Sequence, residues 1–243
     1  MEIKKMIWFV VLFTILMGSS TYLLGENETL PAPASEQTEF NLIGLIKASG
    51  FIGWLILFLS IVSVALEIEF FVKLQRNKLI PPDLLQEIEE LFEEESYEEV
   101  METCTAEPGF FTNVLSAALP KAEEGFNSMM NSAKAAIDEE SMKLQQRISW
   151  LQLIGSIAPM LGLLGTVQGM IIAFHKIASM EGAPKPKHLA DGIYVALLTT
   201  FEGLIVAIPC LFCYFFLKNK LVRINMEVNL IVEELLEHFR KSE

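Results

Sequence analysis

Charge disappears from this sequence in three long blocks: Ala48–Leu66, Ile148–Phe174 and, with Glu202 as the single exception, Gly192–Leu217. At a rise of about 1.5 Å per residue, about 20 apolar residues cross a hydrocarbon core of about 30 Å. The blocks therefore predict three transmembrane helices, assigned to 42–70, 148–175 and 192–217. The second is longer than one crossing needs, which predicts tilt or protrusion. A shorter apolar block, Met6–Met17, follows Lys4 and Lys5 and precedes the small residues Gly18 and Ser20. It is too short to span comfortably, so 1–20 reads as an export signal, with an uncleaved anchor helix as the alternative. Ala32-Pro33-Ala34 offers a second cleavage form further on. Residues 21–41 are polar and acidic and read as an exported segment.

The flanking cations fix an orientation. Lys73, Arg76 and Lys78 follow the first span, and Lys218, Lys220 and Arg223 follow the last. Cations of this kind collect on the cytoplasmic side, so both spans run from outside to inside and the loop 176–191 lies outside. Between the first two spans, 71–147 predicts a cytoplasmic helical domain. Pro81-Pro82-Asp83 punctuates its start and offers an N-cap. Leu84, Leu85, Ile88, Leu91 and Phe92 then recur at helical spacing opposite a wall of glutamates. Glu107-Pro108-Gly109 predicts a turn, and helix resumes over 110–147 with a break expected at Gly125 and Asn127. The tail 218–243 predicts an amphipathic helix with Val228, Ile231, Val232, Leu235 and Leu236 on one side. The fold class is all-α: a polytopic membrane protein with three mature spans and a cytoplasmic helical domain, preceded by a signal-like segment.

Composition narrows the chemistry. The 243 residues are 52% hydrophobic and carry a net charge of −13, with no basic stripe to neutralise phosphates, which argues against nucleic acid. The acidic face from Glu87 to Glu99 lacks a loop to wrap a cation and reads as a solvated surface. Cys104, Cys210 and Cys213 form no disulfide framework. The last two are spaced CxxC inside an apolar run and read as soft packing residues. No Ser-His-Asp set, phosphate loop or zinc spacing occurs, and His175 and His188 flank a loop without clustered ligands. The sequence points to no enzyme and no cofactor.

What remains is polar chemistry at membrane depth. Intramembrane ionisable groups are costly and usually face a bundle interior or a wet cavity. Glu202 lies ten residues into the last span. It could take up and release protons if water or a partner's charge reaches it, or hold neighbouring helices together as a neutral hydrogen-bonding group. Thr166, Thr199 and Thr200 are the other polar features at this depth. Each could bond its own backbone or line a pore as donor and acceptor. Thr199 and Glu202 are i,i+3 and share one helix face, and Thr166, Thr199, Thr200 and Glu202 together are the expected ion pathway. Gly155, Gly162, Gly165 and Gly169 run along the second span, and Gly165-x-x-x-Gly169 is a close-approach pattern. Pro159 and Pro209 sit inside spans, where the carbonyl each one frees needs another partner.

The order of these residues is specific. Ala158-Pro159-Met160-Leu161-Gly162-Leu163-Leu164-Gly165-Thr166-Val167, followed by Gly169-Met170-Ile171 and Phe174, resembles the signature of the MotA/TolQ/ExbB proton-channel family. Gly192-Ile193, Ala196-Leu197-Leu198-Thr199-Thr200 and Gly203-Leu204-Ile205-Val206-Ala207-Ile208-Pro209 resemble its partner signature in the last span. The resemblance covers roughly residues 42 to 240 and is closest to the ExbB type of biopolymer transport protein. It implies a bacterial inner-membrane energy-transduction complex in which a homo-oligomer, a pentamer, surrounds single-span ExbD- or TolR-like partners. Proton motive force then does work across the periplasm, in the ExbB case through a TonB-like protein. Thr166 and Thr200 match the family's pore threonines, and Pro159 and Pro209 its recurrent prolines. One departure stands out. ExbB and TolQ proteins often carry a glutamate where this chain has Val195, whereas its own carboxylate is Glu202, seven residues on and on nearly the same face. The expected ion is the proton, with sodium as the alternative. A non-conducting scaffold that assembles a partner is the competing function.

Overall fold

The structure is a computed structural model that describes residues 49–180 and 186–240. The expected signal at 1–20, the segment 21–41 and the beginning of the first span fall outside the described residues. So do 181–185 of the loop and the last three residues. Among the described residues there are helices and no strands.

The helices follow the hydrophobic pattern. Helix α1 is Gly50–Lys73, α2 Arg76–Leu79, α3 Pro82–Glu93, α4 Tyr97–Ala106 and α5 Phe110–Ala118. A 3₁₀ turn, Leu119–Glu124, leads into the two long helices, α6 at Phe126–Ala178 and α7 at Pro186–Arg240. Helices α1, α6 and α7 are each long and apolar enough to cross a membrane. Both long helices continue through an internal proline, Pro159 in α6 and Pro209 in α7. They also reach further into the expected loop than its polar composition suggests. Pro186 opens α7, a position where a fixed φ suits a helix start and a missing N–H costs nothing.

Chain contacts divide the molecule into two compact units. Among the described residues, the first takes 49–68 together with Leu151–Cys213. Its core is small and made by the three long helices: Ile52 and Ile56 from α1, Ile154 and Ala158 from α6, Val206, Ala207 and Cys210 from α7. Large apolar side chains such as Phe51, Trp54, Phe58, Met160, Leu163 and Phe212 point outward from this unit. In hydrocarbon that exposure carries no penalty, and helix association rests on close packing and hydrogen bonds instead.

The second unit takes Glu69–Trp150 and Tyr214–Glu243. Here the expected apolar face of α3 buries Leu84, Ile88 and Phe92, with Leu85 and Leu91 partly covered. Asp83 does not cap α3. Pro81 is the N-cap and Pro82 opens the helix, which leaves Asp83 in the first turn, where a carboxylate meets the positive end of the helix dipole. The break expected near Gly125 is present: the 3₁₀ turn ends there at φ 89°, a conformation open to glycine. Val228, Val232, Leu235 and Leu236 of α7 join α3, α4, α5 and α6 in one core. Phe92 meets Tyr97 and Phe239 edge-on, and Tyr97 and Phe239 lie 4.5 Å apart between ring centres. Arg76 pairs with Glu227 at 2.7 Å and Asn225 donates to Ser141 at 2.6 Å.

Candidate functional site

The polar residues singled out at membrane depth all belong to the first unit, and glycines set how closely their helices approach. A Cβ on Gly162 would stand 2.9 Å from the Thr199 carbonyl and 3.0 Å from the Thr200 Cα. One on Gly165 would collide with the Thr199 side chain, and one on Gly169 would reach 3.1 Å from the Gly192 carbonyl. From the opposite side, a Cβ on Gly203 would sit 2.5 Å from the Ala158 carbonyl. The small residues of α6 and α7 therefore face each other over several turns with their backbones in near contact. This is the close approach that the Gly165-x-x-x-Gly169 spacing anticipates.

That packing gives the three threonines different surroundings. Thr199 is 1% exposed, and its Oγ1 lies 2.9 Å from the Ala196 carbonyl and 3.3 Å from the Gly162 carbonyl across the interface. Its hydroxyl is committed to holding two helices together. Thr200, one residue on, is only half-buried, and its Oγ1 makes a long 3.4 Å bond to the Ala196 carbonyl. Thr166 is also half-buried and donates to the Leu163 carbonyl at 2.7 Å. Both bonds return to the residue's own helix. Each hydroxyl oxygen keeps acceptor capacity for a group arriving from outside the chain.

Glu202 faces a different helix from Thr199. Its Oε1 accepts a 2.8 Å hydrogen bond from the Ser49 hydroxyl, and a Cβ on Gly53 would come within 3.3 Å of its Oε2. Oε2 is buried and has no hydrogen-bond partner among the described residues. The i,i+3 spacing thus places Thr199 against α6 and Glu202 against the start of α1. Val195, where the expected family carboxylate is missing, is half-buried. Pro159 and Pro209 are half-buried as well, while Gly162, Gly165, Gly169 and Gly203 are all buried.

A second buried carboxylate escaped the sequence reading. Glu67, which reads as the first charge after a span, is 4% exposed in α1. The thiols of Cys210 and Cys213 lie beside it, and both cysteines are fully buried. The available signal was the i,i+4 spacing of Ser63 and Glu67, which places two polar residues on one face of an otherwise apolar helix. Cys210 and Cys213 do fill a packed interface as expected, and they also solvate this carboxyl.

Comparison with known proteins adds a family. The MotA/TolQ/ExbB proton channel family matches residues 85–229, more than half of the chain. The biopolymer transport protein exbB1 of Vibrio cholerae is 39% identical over 94 residues, 38% of this chain and 41% of that protein. The Tol-Pal system protein TolQ of Pseudomonas aeruginosa is 37% identical over 81 residues, 33% of this chain and 35% of its own length. The biopolymer transport protein ExbB of Aquifex aeolicus is 39% identical over 88 residues, 36% of this chain and 57% of that protein. The aligned stretches thus span about a third to just over half of these relatives.

Proposed function

Since the chain belongs to the MotA/TolQ/ExbB proton channel family, we propose that it is a proton-conducting subunit of an energy-transduction complex in a bacterial inner membrane. In this reading several copies, a pentamer, enclose one or more single-span ExbD- or TolR-like partners. Proton flow between them drives work across the periplasm, such as TonB-dependent transport. In this reading 42–70 is the first span, 71–147 a cytoplasmic helical domain and 176–191 an outer loop. The tail 218–243 then extends on the cytoplasmic side.

The observation that supports this reading is the unequal treatment of adjacent hydroxyls. Thr199 is sealed between α6 and α7, whereas Thr200 and Thr166 stay half-exposed beside the same glycine-packed pair. A structural threonine needs the first environment. A threonine that meets a partner's ionisable group needs the second. We assign Thr166 and Thr200 to the ion path, Thr199 to the helix pair beside it, and Glu202 to the joint with α1.

The test is proton flux in vesicles holding the protein and its single-span partner. Thr166→Ala and Thr200→Ala are expected to lower flux about tenfold or more, which corresponds to about 1.4 kcal/mol on a barrier. Glu202→Gln keeps the hydrogen bond to Ser49 and is expected to leave flux near wild type. Full flux in Thr200→Ala, with partner binding intact, would favour the scaffold reading instead.

A further inference from the structure

The buried carboxyl of Glu67 is far from the threonines in sequence and takes no part in the path assigned above. Its surroundings are nonetheless unusual. In the first unit, α1 presents Ser63 and Glu67 to α7, and these are 3% and 4% exposed. From α7, the Cys210 thiol touches both Ser63 and Glu67, and the Cys213 thiol touches Glu67. Ser63 itself donates back to the Ser60 carbonyl at 2.9 Å. No lysine, arginine or histidine forms an ion pair with Glu67 among the described residues. The next carboxylate along α1, Glu69, is exposed and paired with Lys73 at 2.6 Å.

A buried carboxylate without a cation is an expensive arrangement, and two thiols are weak donors that compensate little of it. The carboxylic acid form needs far less. Its hydroxyl can donate while its carbonyl oxygen accepts from a thiol. A metal ion does not resolve the matter, because no group of three Cys, His, Asp or Glu among the described residues is placed to hold one. A structural glutamine would satisfy the same neighbours without any ionisation, so the presence of a titratable group is the informative feature.

We propose that Glu67, Cys210 and Cys213 form a proton-binding site that joins α1 to α7. One proton resides on the Glu67 carboxyl and the thiols complete its hydrogen bonds. Release of that proton leaves a single negative charge on the carboxylate, unpaired between two apolar helices, and loosens the joint. The titratable groups facing this site are Glu67 from α1 and the two cysteines from α7. The site is separate from Thr166 and Thr200, so it is a second place where this protein holds a proton.

Infrared spectroscopy of the full chain in lipid nanodiscs reads this directly, through the carbonyl stretch of a protonated carboxylic acid and its shift in heavy water. At neutral pH the wild type is expected to show such a band. The Glu67 component of the band should be lost in Glu67→Gln and in Glu67→Leu, and survive in Glu202→Gln, which removes the half-buried carboxyl of the same unit. Glu67→Leu keeps the volume without a polar head, so it provides a second test if the glutamine variant assembles poorly. A wild-type spectrum without a protonated-acid band overturns the proposal with no variant needed. A band unchanged in both Glu67 variants overturns it equally. Neither result bears on proton flux through Thr166 and Thr200.

Discussion

A threonine in a membrane helix can close its hydroxyl on its own backbone or extend it to a neighbour, and the distances here separate the two cases. Thr199 reaches the Gly162 carbonyl at 3.3 Å across the interface, while Thr166 and Thr200 bond only within their own helices. Interhelical hydrogen bonds in membranes contribute about 0.6 kcal/mol on average and up to about 1.7. Thr199→Val keeps the shape and removes the hydroxyl, so a loss of stability of about that size is expected. Refolding equilibria in mixed detergent check it, and flux per assembled complex should stay unchanged. Cys104 illustrates a different effect of burial. It lies in α4 at 2% exposure, and desolvation pushes its thiol up to about 11, although a hydrogen bond with Ser116 acts in the other direction. The ordinary value for a thiol is 9.0, so the thiolate fraction at neutral pH falls about a hundredfold. Alkylation of the native protein, located by peptide mass, should therefore label Cys104 at least that much more slowly than after unfolding.

At the scale of helices, the α6–α7 pair is a fit between one residue with no side chain and one with a branched one. An added methyl at Gly165 overlaps Thr199, and forced overpacking of this kind costs about 1–3 kcal/mol. Gly165→Ala is expected to destabilise the protein by that amount. Combining it with Thr199→Gly, which removes the obstructing Cβ, should restore part of the loss. A double-mutant cycle measures this, and strict additivity would contradict the contact. Gly125 offers a parallel case in the second unit. Its φ of 89° between the 3₁₀ turn and α6 suits no side chain, so Gly125→Ala should cost about 1–3 kcal/mol in thermal unfolding. The sequence made these elements readable for specific reasons. Charge-free blocks name the spans, Pro and Gly name the ends of α3, α5 and the 3₁₀ turn, and glycine spacing names the closely packed pair. It could not show which helix each polar face meets. Thr199 and Glu202 share a face by spacing, yet one meets α6 and the other α1, because three helices surround a point that a single periodicity describes as one side. Glu67 was hidden for the same reason: a carboxylate at the edge of an apolar block reads as the end of a span until the thiols of α7 are seen beside it.

At the scale of the whole chain, neither unit is continuous in sequence, and the second closes only when the end of α7 returns to helices formed from residues far earlier. Ile224, Val228, Val232, Leu235 and Leu236 are each at most 4% exposed in its core. Burying a large aliphatic side chain stabilises by about 1.5–3 kcal/mol, an upper range because unfolded chains already bury some surface. Five such residues together contribute about 7–15 kcal/mol, which matches the entire stability of a typical domain at about 5–15 kcal/mol. A chain ended after Arg223 should therefore lose the second unit, not merely its tail. Hydrogen exchange in α3, α4 and α5 is the direct measure: protection in those helices should collapse although their own sequence is intact. The α1, α6 and α7 segments of the first unit keep all their core partners in such a chain, since Ile52, Ile56, Ile154, Ala158, Val206, Ala207 and Cys210 lie before the cut. Their protection should persist in detergent. Protection lost equally in both units would show that they unfold as one, and persistent protection in α3–α5 would show that the helices before Arg223 suffice for the second core.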